Sequence, residues 1–386
     1  MSSDTLIFLI VVGLRLGVPL LILRYPLPAI LAALVIDAAD QTIFQNNTDL
    51  NLDGYQGYDK ALDVYYLAIA YLSTFRNWAD PFAARVAQAL WYYRLVGVVA
   101  FELSGERALL LIFPNTFEYF FIAYEVVRLA WDPSRLSKRA VIGLAAFIWI
   151  FVKLPQEWWI HIAQLDFTDF MKEDVFGVPV DTSWGEAIGE NLWFVGLLAV
   201  LAVGVALLAR WALHTAPPPD WPVSVDVDDH PQSTRVDSTP ETPRTLEWDL
   251  LEKALLASLI SIIFSQVLPD LDSSPLQVTW TTTVFVVAMS LAAIGLSRFG
   301  VSWTSTLGQF VGTLAVGAGL VVLYLWLLRR SDEPINEAAA VFFVVLLSLI
   351  IALFDRFRIQ GEERRASLEP FTPSDAPPDP VDRAPR

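Results

Sequence analysis

The chain carries repeated apolar runs of about the length that crosses a lipid bilayer. A hydrocarbon core takes about 20 residues of α-helix, and within lipid every backbone polar group must be satisfied internally. The runs therefore predict an all-α polytopic membrane protein with about eleven transmembrane helices. The predicted helices lie near residues 5–24, 27–45, 61–76, 84–103, 108–128, 140–160, 191–211, 248–268, 277–297, 305–328 and 337–355.

Composition supports a membrane class and excludes several others. Hydrophobic residues make up 55% of the 386 residues, and 42 acidic residues outnumber 26 basic ones, so the net charge is −16. A basic footprint for nucleic acid is therefore absent, and the lipid bilayer is the predicted partner. The absence of cysteine excludes disulfides, thiolate metal sites and a cysteine nucleophile. Cysteine-free chains rich in Ala, Arg, Asp and Pro are common in high-GC bacteria, so the source is predicted to be bacterial.

Residues 215–245 divide the chain, because they are rich in Pro, Asp, Ser and Thr and contain almost no apolar run. Such a segment is predicted to be a disordered cytoplasmic linker. It would separate a seven-helix module (1–214) from a four-helix module (246–358), which is followed by a disordered cytoplasmic tail (359–386). The second module carries almost no charge inside its predicted helices, so it is interpreted as a surface for packing or for a membrane-protein partner.

The distribution of lysine and arginine predicts the orientation, since basic loops stay in the cytoplasm. Arg76, Lys138 and Arg356 fall on one side with most other basic residues, whereas the opposite loops are acidic. Arg329 and Arg330 fall on the acidic side and do not fit. We therefore predict a multi-pass protein of the plasma (inner) membrane with its N-terminus outside and its C-terminus in the cytoplasm.

The segment from Asp49 to Lys60 resembles the opening of a calcium-binding loop. Alternate oxygen-bearing side chains followed by glycine, as in DLNLDG, can converge on one hard cation. The twelfth position of an EF-hand should be a bidentate glutamate, and here it is Lys60. The predicted ligands of a Ca²⁺ or Mg²⁺ ion are therefore Asp49, Asn51, Asp53, Asp59 and Asp63. The alternative is a turn that binds no ion, because Asn, Asp and Gly favour turns.

Two pairs of aspartates lie close to this loop. Asp37 and Asp40 are spaced i, i+3 near the end of the second predicted helix, and Asp59 and Asp63 are spaced i, i+4 at the start of the third. Each pair shares one helical face. If the two helices are neighbours, four carboxylates converge near the outer surface as a cation site or the mouth of a cation or proton path. The alternative is ordinary acid at the membrane interface.

Three charged residues fall at membrane depth, namely Arg15, Arg94 and Glu118. A charge there costs at least about 2.5–3.5 kcal/mol and normally has a partner. Distances from the turn between the fourth and fifth predicted helices predict an ion pair between Arg94 and Glu118, and the i, i+3 spacing of Glu125 and Arg128 predicts a second pair. With Asn115, Asp37 and Asp40, these two residues are the predicted substrate path. The alternative is a charge pair that only fixes helix packing.

Three functions remain open from the sequence. The first is a transport or channel-like protein with an outer carboxylate cluster that binds a cation. The second is a membrane enzyme acting on a lipid or envelope precursor, with the carboxylates as acid and base or as metal ligands. The third is a scaffold with regulatory cytoplasmic tails. No catalytic motif such as HExxH, GxSxG or a phosphate-binding P-loop is present to decide whether the chain is an enzyme.

Overall fold

The described part of the chain is entirely helical. The computed structural model describes residues 3–48, 55–165, 167–229, 246–267, 275–298, 306–327 and 337–366. No strand occurs among these residues, which confirms the predicted all-α class. The α-helices are α1 (Ser3–Gly17), α2 (Pro26–Asn47), α3 (Tyr55–Asn77), α4 (Pro81–Ser104), α5 (Ala108–Ile112), α6 (Thr116–Arg128), α7 (Lys138–Phe147), α8 (Leu154–Glu157), α9 (Phe167–Asp169), α10 (Trp184–Glu190), α11 (Leu192–Thr215), α12 (Leu246–Val267), α13 (Pro275–Arg298), α14 (Thr306–Leu327) and α15 (Glu337–Ala366).

Five helical segments in the described residues are long and apolar enough to cross a membrane. They are Ser3–Leu23, Pro26–Asn47, Ala108–Arg128, Lys138–Ile162 and Leu192–Trp211. Two of these segments are longer than one α-helix. A 3₁₀ turn (Val18–Leu23) extends α1 into the α1 rod, and π-helical turns extend α7 as far as Ile162, which forms the α7 rod. The count of eleven spans and the arrangement of seven plus four are not confirmed by these segments.

Local sequence signals explain where several helices begin and end. The carboxylate of Asp80 accepts a hydrogen bond from the Phe82 amide (2.9 Å), and Pro81 occupies the first turn of α4, where its missing N–H costs nothing. The same helix ends at Gly105, whose φ of +69° is one that glycine adopts without strain. Ser137 caps α7 in the same way through the Ala140 amide.

Helix α3 lies at the centre of the bundle. Every residue from Ala61 to Phe75 is buried except Asp63, so α3 has no face directed outward over that stretch. It contacts α1, α2, α4, α12 and α15. The core around it contains residues from Ile22 to Phe357, which means that helices on both sides of the 215–245 segment share one core.

Charged residues join the C-terminal helices to α3 and α4. Glu252 on α12 accepts hydrogen bonds from the Tyr71 hydroxyl and from Gln88 (2.7 Å), and Arg358 on α15 donates to it at 2.5 Å. Lys253 pairs with Asp355 at 2.5 Å. Both Glu252 and Lys253 are buried. The C-terminal helices thus carry buried charge, contrary to the expectation of almost none, because the start of α12 packs against α3 and α4.

Gly361 permits the close approach of α15 to α3. A Cβ atom at this position would overlap the carbonyl oxygen of Phe75, and a backbone atom cannot move aside cheaply. We expect Gly361→Ala to lower the free energy of unfolding by about 1–3 kcal/mol, as overpacking does. Thermal unfolding of the full chain in detergent measures this. Gly319→Ala in α14 is the control, because a Cβ atom there meets nothing within 4 Å. Equal unfolding temperatures for the two variants would contradict the close contact between α15 and α3.

Residues 217–229 lie along one end of the bundle, and we call them the strap. The strap follows α11 and belongs to the segment 215–245, which the sequence analysis interprets as a linker. Residues 230–245 lie outside the described part. Its amides at Asp220, Ser224 and Val227 donate to the carbonyls of Ala130, Leu129 and Arg24 (2.8–3.2 Å). These bonds place the end of the α1 rod and the α6–α7 connection at the same end of the molecule.

The strap also carries carboxylates to arginines at that end. Asp226 pairs with Arg24 at 2.8 Å, Asp228 pairs with Arg76, and Asp220 pairs with Arg135 at 2.6 Å. Hydrogen bonds from the Asp228 amide and from Arg24 hold the pKa of Asp226 below its usual value. Charge complementarity, which the linker composition alone did not reveal, therefore orders this segment.

Candidate cation site and polar path

Arg15 is surrounded by four aspartates at the junction of α1, α2 and α3. Its guanidinium lies 2.6 Å from Asp37, 3.2 Å from Asp63 and 3.4 Å from Asp59, and it also pairs with Asp40. We call these five residues the Arg15 cluster. The Arg15 side chain is 2% exposed and that of Asp40 is fully buried, so the centre of the cluster is shielded from solvent.

Helix geometry brings these carboxylates together. The i, i+3 and i, i+4 spacings put each pair on one face, and the short connection between α2 and α3 makes the helices neighbours. The structure thus brings together the four aspartates whose spacing predicted convergence. The sequence analysis did not pair these aspartates with Arg15. The signal that could have done so is the predicted position of Arg15 within an apolar helix, because an arginine there needs partners of opposite charge.

The cluster holds more negative than positive charge. Lys60 lies 3.1 Å from Asp59 and 3.7 Å from Asp63, so four carboxylates face two cationic side chains, an excess of two negative charges when all are ionised. Asp37, Asp59 and Asp63 remain 24%, 20% and 17% exposed. These three are therefore the more exposed carboxylates of the cluster.

The same three aspartates lie close enough together that they could hold a metal ion. One carboxylate oxygen from each lies within 4.8 Å of the others. Hard cations such as Ca²⁺ and Mg²⁺ take carboxylate oxygens and complete their coordination with water. Of the five ligands predicted from the sequence, Asp49, Asn51 and Asp53 lie outside the described residues. Asp59 and Asp63 are in the group, and Asp37, which the sequence assigned to the substrate path, joins them.

A second polar network surrounds Glu118 in α6. Its carboxylate accepts hydrogen bonds from the Tyr66 hydroxyl (2.6 Å) and the Asn115 side chain (2.7 Å), and it pairs with Lys153 at 3.5 Å. Arg94 instead donates to the Phe113 carbonyl at 3.0 Å. The predicted ion pair between Arg94 and Glu118 is therefore wrong; the other predicted pair of this helix, Glu125 with Arg128 (3.2 Å), is present.

A break in the helix explains why Arg94 bonds to the backbone. Pro114 separates α5 from α6, and the freed carbonyls need donors inside the bundle. Arg94 supplies one to Phe113, and Tyr93 supplies one to Ile112 at 2.8 Å. Counting residues along the helices could not reveal that the break would use the hydrogen-bond donors of Arg94.

Glu157 extends this network toward the end of the α7 rod. One of its oxygens accepts the Asn115 amide (3.1 Å) and the other lies 3.0 Å from His161. Asn115 therefore connects the two glutamates, with its backbone bonded to one and its side chain to the other. Among the described residues, the side-chain amide oxygen (Oδ1) of Asn115 and the hydroxyl of the neighbouring Thr116 have no hydrogen-bond partner, although both residues are buried.

Tyr66 lies between the two polar regions on the central helix α3. It lies three residues after Asp63 on the central helix, so the same helix contributes to the Arg15 cluster and to the Glu118 network. The residues named for the substrate path therefore divide between them: Asp37 and Asp40 belong to the cluster, Asn115 and Glu118 to the network, and Arg94 to the helix break beside it.

Comparison with protein-family models, curated proteins and solved structures finds no match to this chain.

Proposed function

We propose that the chain is a multi-pass plasma-membrane transport protein in which the Arg15 cluster binds a cation. The observation that supports this most strongly is the arrangement of four aspartates on one arginine, with three carboxylates close enough to share an ion. The presence of several apolar helices is compatible with a membrane protein.

The depth of the cluster makes its excess charge significant. Arg15 is nine residues from Arg24, or about 15 Å along the α1 rod from the strap end, and Asp63 is eight residues from Tyr55, or about 12 Å along α3 from the opposite end. Two uncompensated negative charges at such a depth are unfavourable, and a divalent cation or two protons would neutralise them. Ca²⁺ and Mg²⁺ are the divalent ions that match a carboxylate site.

The broken helix between α5 and α6 supports a path through the bundle. Discontinuous membrane helices commonly hold substrates or coupling ions in transporters, because the break exposes polar backbone to a cavity. Here the break at Pro114 is bordered by Asn115, Glu118 and Arg94. We assign these residues to the path that connects the cluster with the end of the bundle at His161.

The orientation follows the basic residues. Arg24, Arg76, Arg135 and Lys138 lie at the end of the bundle where the strap binds, and basic ends stay in the cytoplasm. We place this end inside and the N-terminus outside.

Flux measurements in proteoliposomes test the proposal. We expect the wild-type chain to take up Ca²⁺ or Mg²⁺, and Asp63→Asn to lose about tenfold or more of that flux, because it removes one of three carboxylate ligands. Asp181→Asn is the matched control, since Asp181 is exposed and remote in sequence from the cluster. Uptake by the Asp63 variant at the wild-type rate, or wild-type uptake no faster than in empty liposomes, would refute the proposal.

A further inference from the structure

The arginines that hold the strap lie at the ends of apolar helices. Arg24 follows the segment Ser3–Leu23, and Arg135 precedes the segment Lys138–Ile162. When these segments cross a membrane, both guanidinium groups lie at the level of the lipid headgroups. Trp131 and Trp221 lie at the same end, where their indole N–H groups donate to the carbonyls of Pro217 and Arg128, as interfacial tryptophans commonly do.

The guanidinium groups remain accessible although the strap binds them. The side chains of Arg24 and Arg135 are 59% and 60% exposed, whereas their partners Asp226 and Asp220 are 15% and 14% exposed. Each guanidinium has five N–H donors in a planar fork that also fits two oxygens of a phosphate. A phosphate can therefore reach both arginines from the exposed side.

An anionic membrane surface would act on the strap in two ways. It attracts the arginines, and it repels the carboxylates of Asp220, Asp226, Asp228 and Asp229, which all lie within residues 217–229. Ion pairs as exposed as these contribute only about 0–1 kcal/mol each, so a competing phosphate of similar affinity can displace them.

We propose that the headgroups of anionic phospholipids compete with the strap for Arg24 and Arg135, and that they release it. This inference rests on the membrane embedding of the protein and not on cation binding by the Arg15 cluster. Release would free the ends of the α1 rod and α3, the two elements that carry Arg15, Asp59 and Asp63. Lipid composition would in this way act on the helices that form the cluster.

Single-cysteine labelling tests the proposal, and the cysteine-free chain provides the background for it. Val227 is 1% exposed, so a thiol in Val227→Cys is protected while the strap is bound. We expect an uncharged, water-soluble maleimide to label it about tenfold faster in vesicles with phosphatidylglycerol than in phosphatidylcholine alone, which corresponds to about 1.4 kcal/mol of lost strap binding. Val223→Cys is the matched control, because Val223 is already 73% exposed in the same strap.

Two further labelling measurements distinguish lipid headgroups from free phosphate as the competing ligand. Inorganic phosphate added to phosphatidylcholine vesicles should leave the labelling rate unchanged, since free phosphate lacks the membrane surface that repels the strap. In an Arg24→Gln, Arg135→Gln background, labelling should be fast in both kinds of vesicle. Equal rates in the two vesicle types, or an equal effect of free phosphate, would overturn the proposal. If Val227→Cys does not fold, Ser224→Cys gives the same comparison, because Ser224 is half-buried within the strap.

Discussion

Arg15→Gln is expected to lower the free energy of unfolding by about 3–5 kcal/mol, the loss typical of removing one partner from a buried ion pair. The substitution leaves Asp37, Asp40, Asp59 and Asp63 together with Lys60 as the one cationic side chain that the described structure places against them. Asp40 is fully buried and would lose its ion pair with Arg15. Thermal unfolding of the full chain in detergent at neutral pH measures the change.

A cation should partly replace the lost arginine. If the cluster binds divalent ions, Ca²⁺ or Mg²⁺ will raise the unfolding temperature of Arg15→Gln more than that of the wild type, since ligands that bind the folded state stabilise it. Arg24→Gln is the matched control, because its exposed pair contributes about 0–1 kcal/mol. A loss no larger than in this control would contradict the structural role assigned to Arg15.

Lys153→Met is the second substitution with a large expected effect. Lys153 and Glu118 are 4% and 3% exposed, and Lys153 also lies 4.0 Å from the centre of the Tyr119 ring. Methionine retains much of the side-chain volume but removes the charge, so Glu118 stays buried without its cation. We expect a loss of about 3–5 kcal/mol, measured by thermal unfolding.

The double variant separates charge from packing. Lys153→Met with Glu118→Gln removes both charges and keeps the hydrogen bonds that Tyr66 and Asn115 can make to residue 118, so most of the stability should return. Lys138→Met is the control, because Lys138 is exposed at the start of α7. If the double variant were no more stable than Lys153→Met alone, the loss would come from packing and not from the unpaired carboxylate.

The features that the sequence predicted correctly depend on short-range geometry. The helical class follows from apolar runs, and the four aspartates converge because their spacing and a short connection determine their positions. The pair of Glu125 and Arg128 is likewise a contact within one helical turn. None of these predictions requires knowledge of how helices distant in sequence are oriented against one another.

The features that the sequence did not predict depend on contacts between distant segments. The partner of Glu118 is Lys153 and not Arg94. The break at Pro114 leaves the Phe113 carbonyl without a helical partner, and Arg94 donates its hydrogen bond there. The strap is ordered by arginines that lie roughly 85 to 200 residues away along the chain. Glu252 was missed because a charge in the first turns of a helix usually faces water.

Calorimetric titration of the full chain with Ca²⁺ and Mg²⁺ tests cation binding by the Arg15 cluster most directly. We expect saturable binding of about one divalent ion per chain, because three carboxylates converge on one point. Binding should be lost in a variant with Asp37, Asp59 and Asp63 all changed to Asn, with Asp40 left to pair with Arg15. No binding by the wild type, or binding that the triple substitution leaves intact, would contradict it.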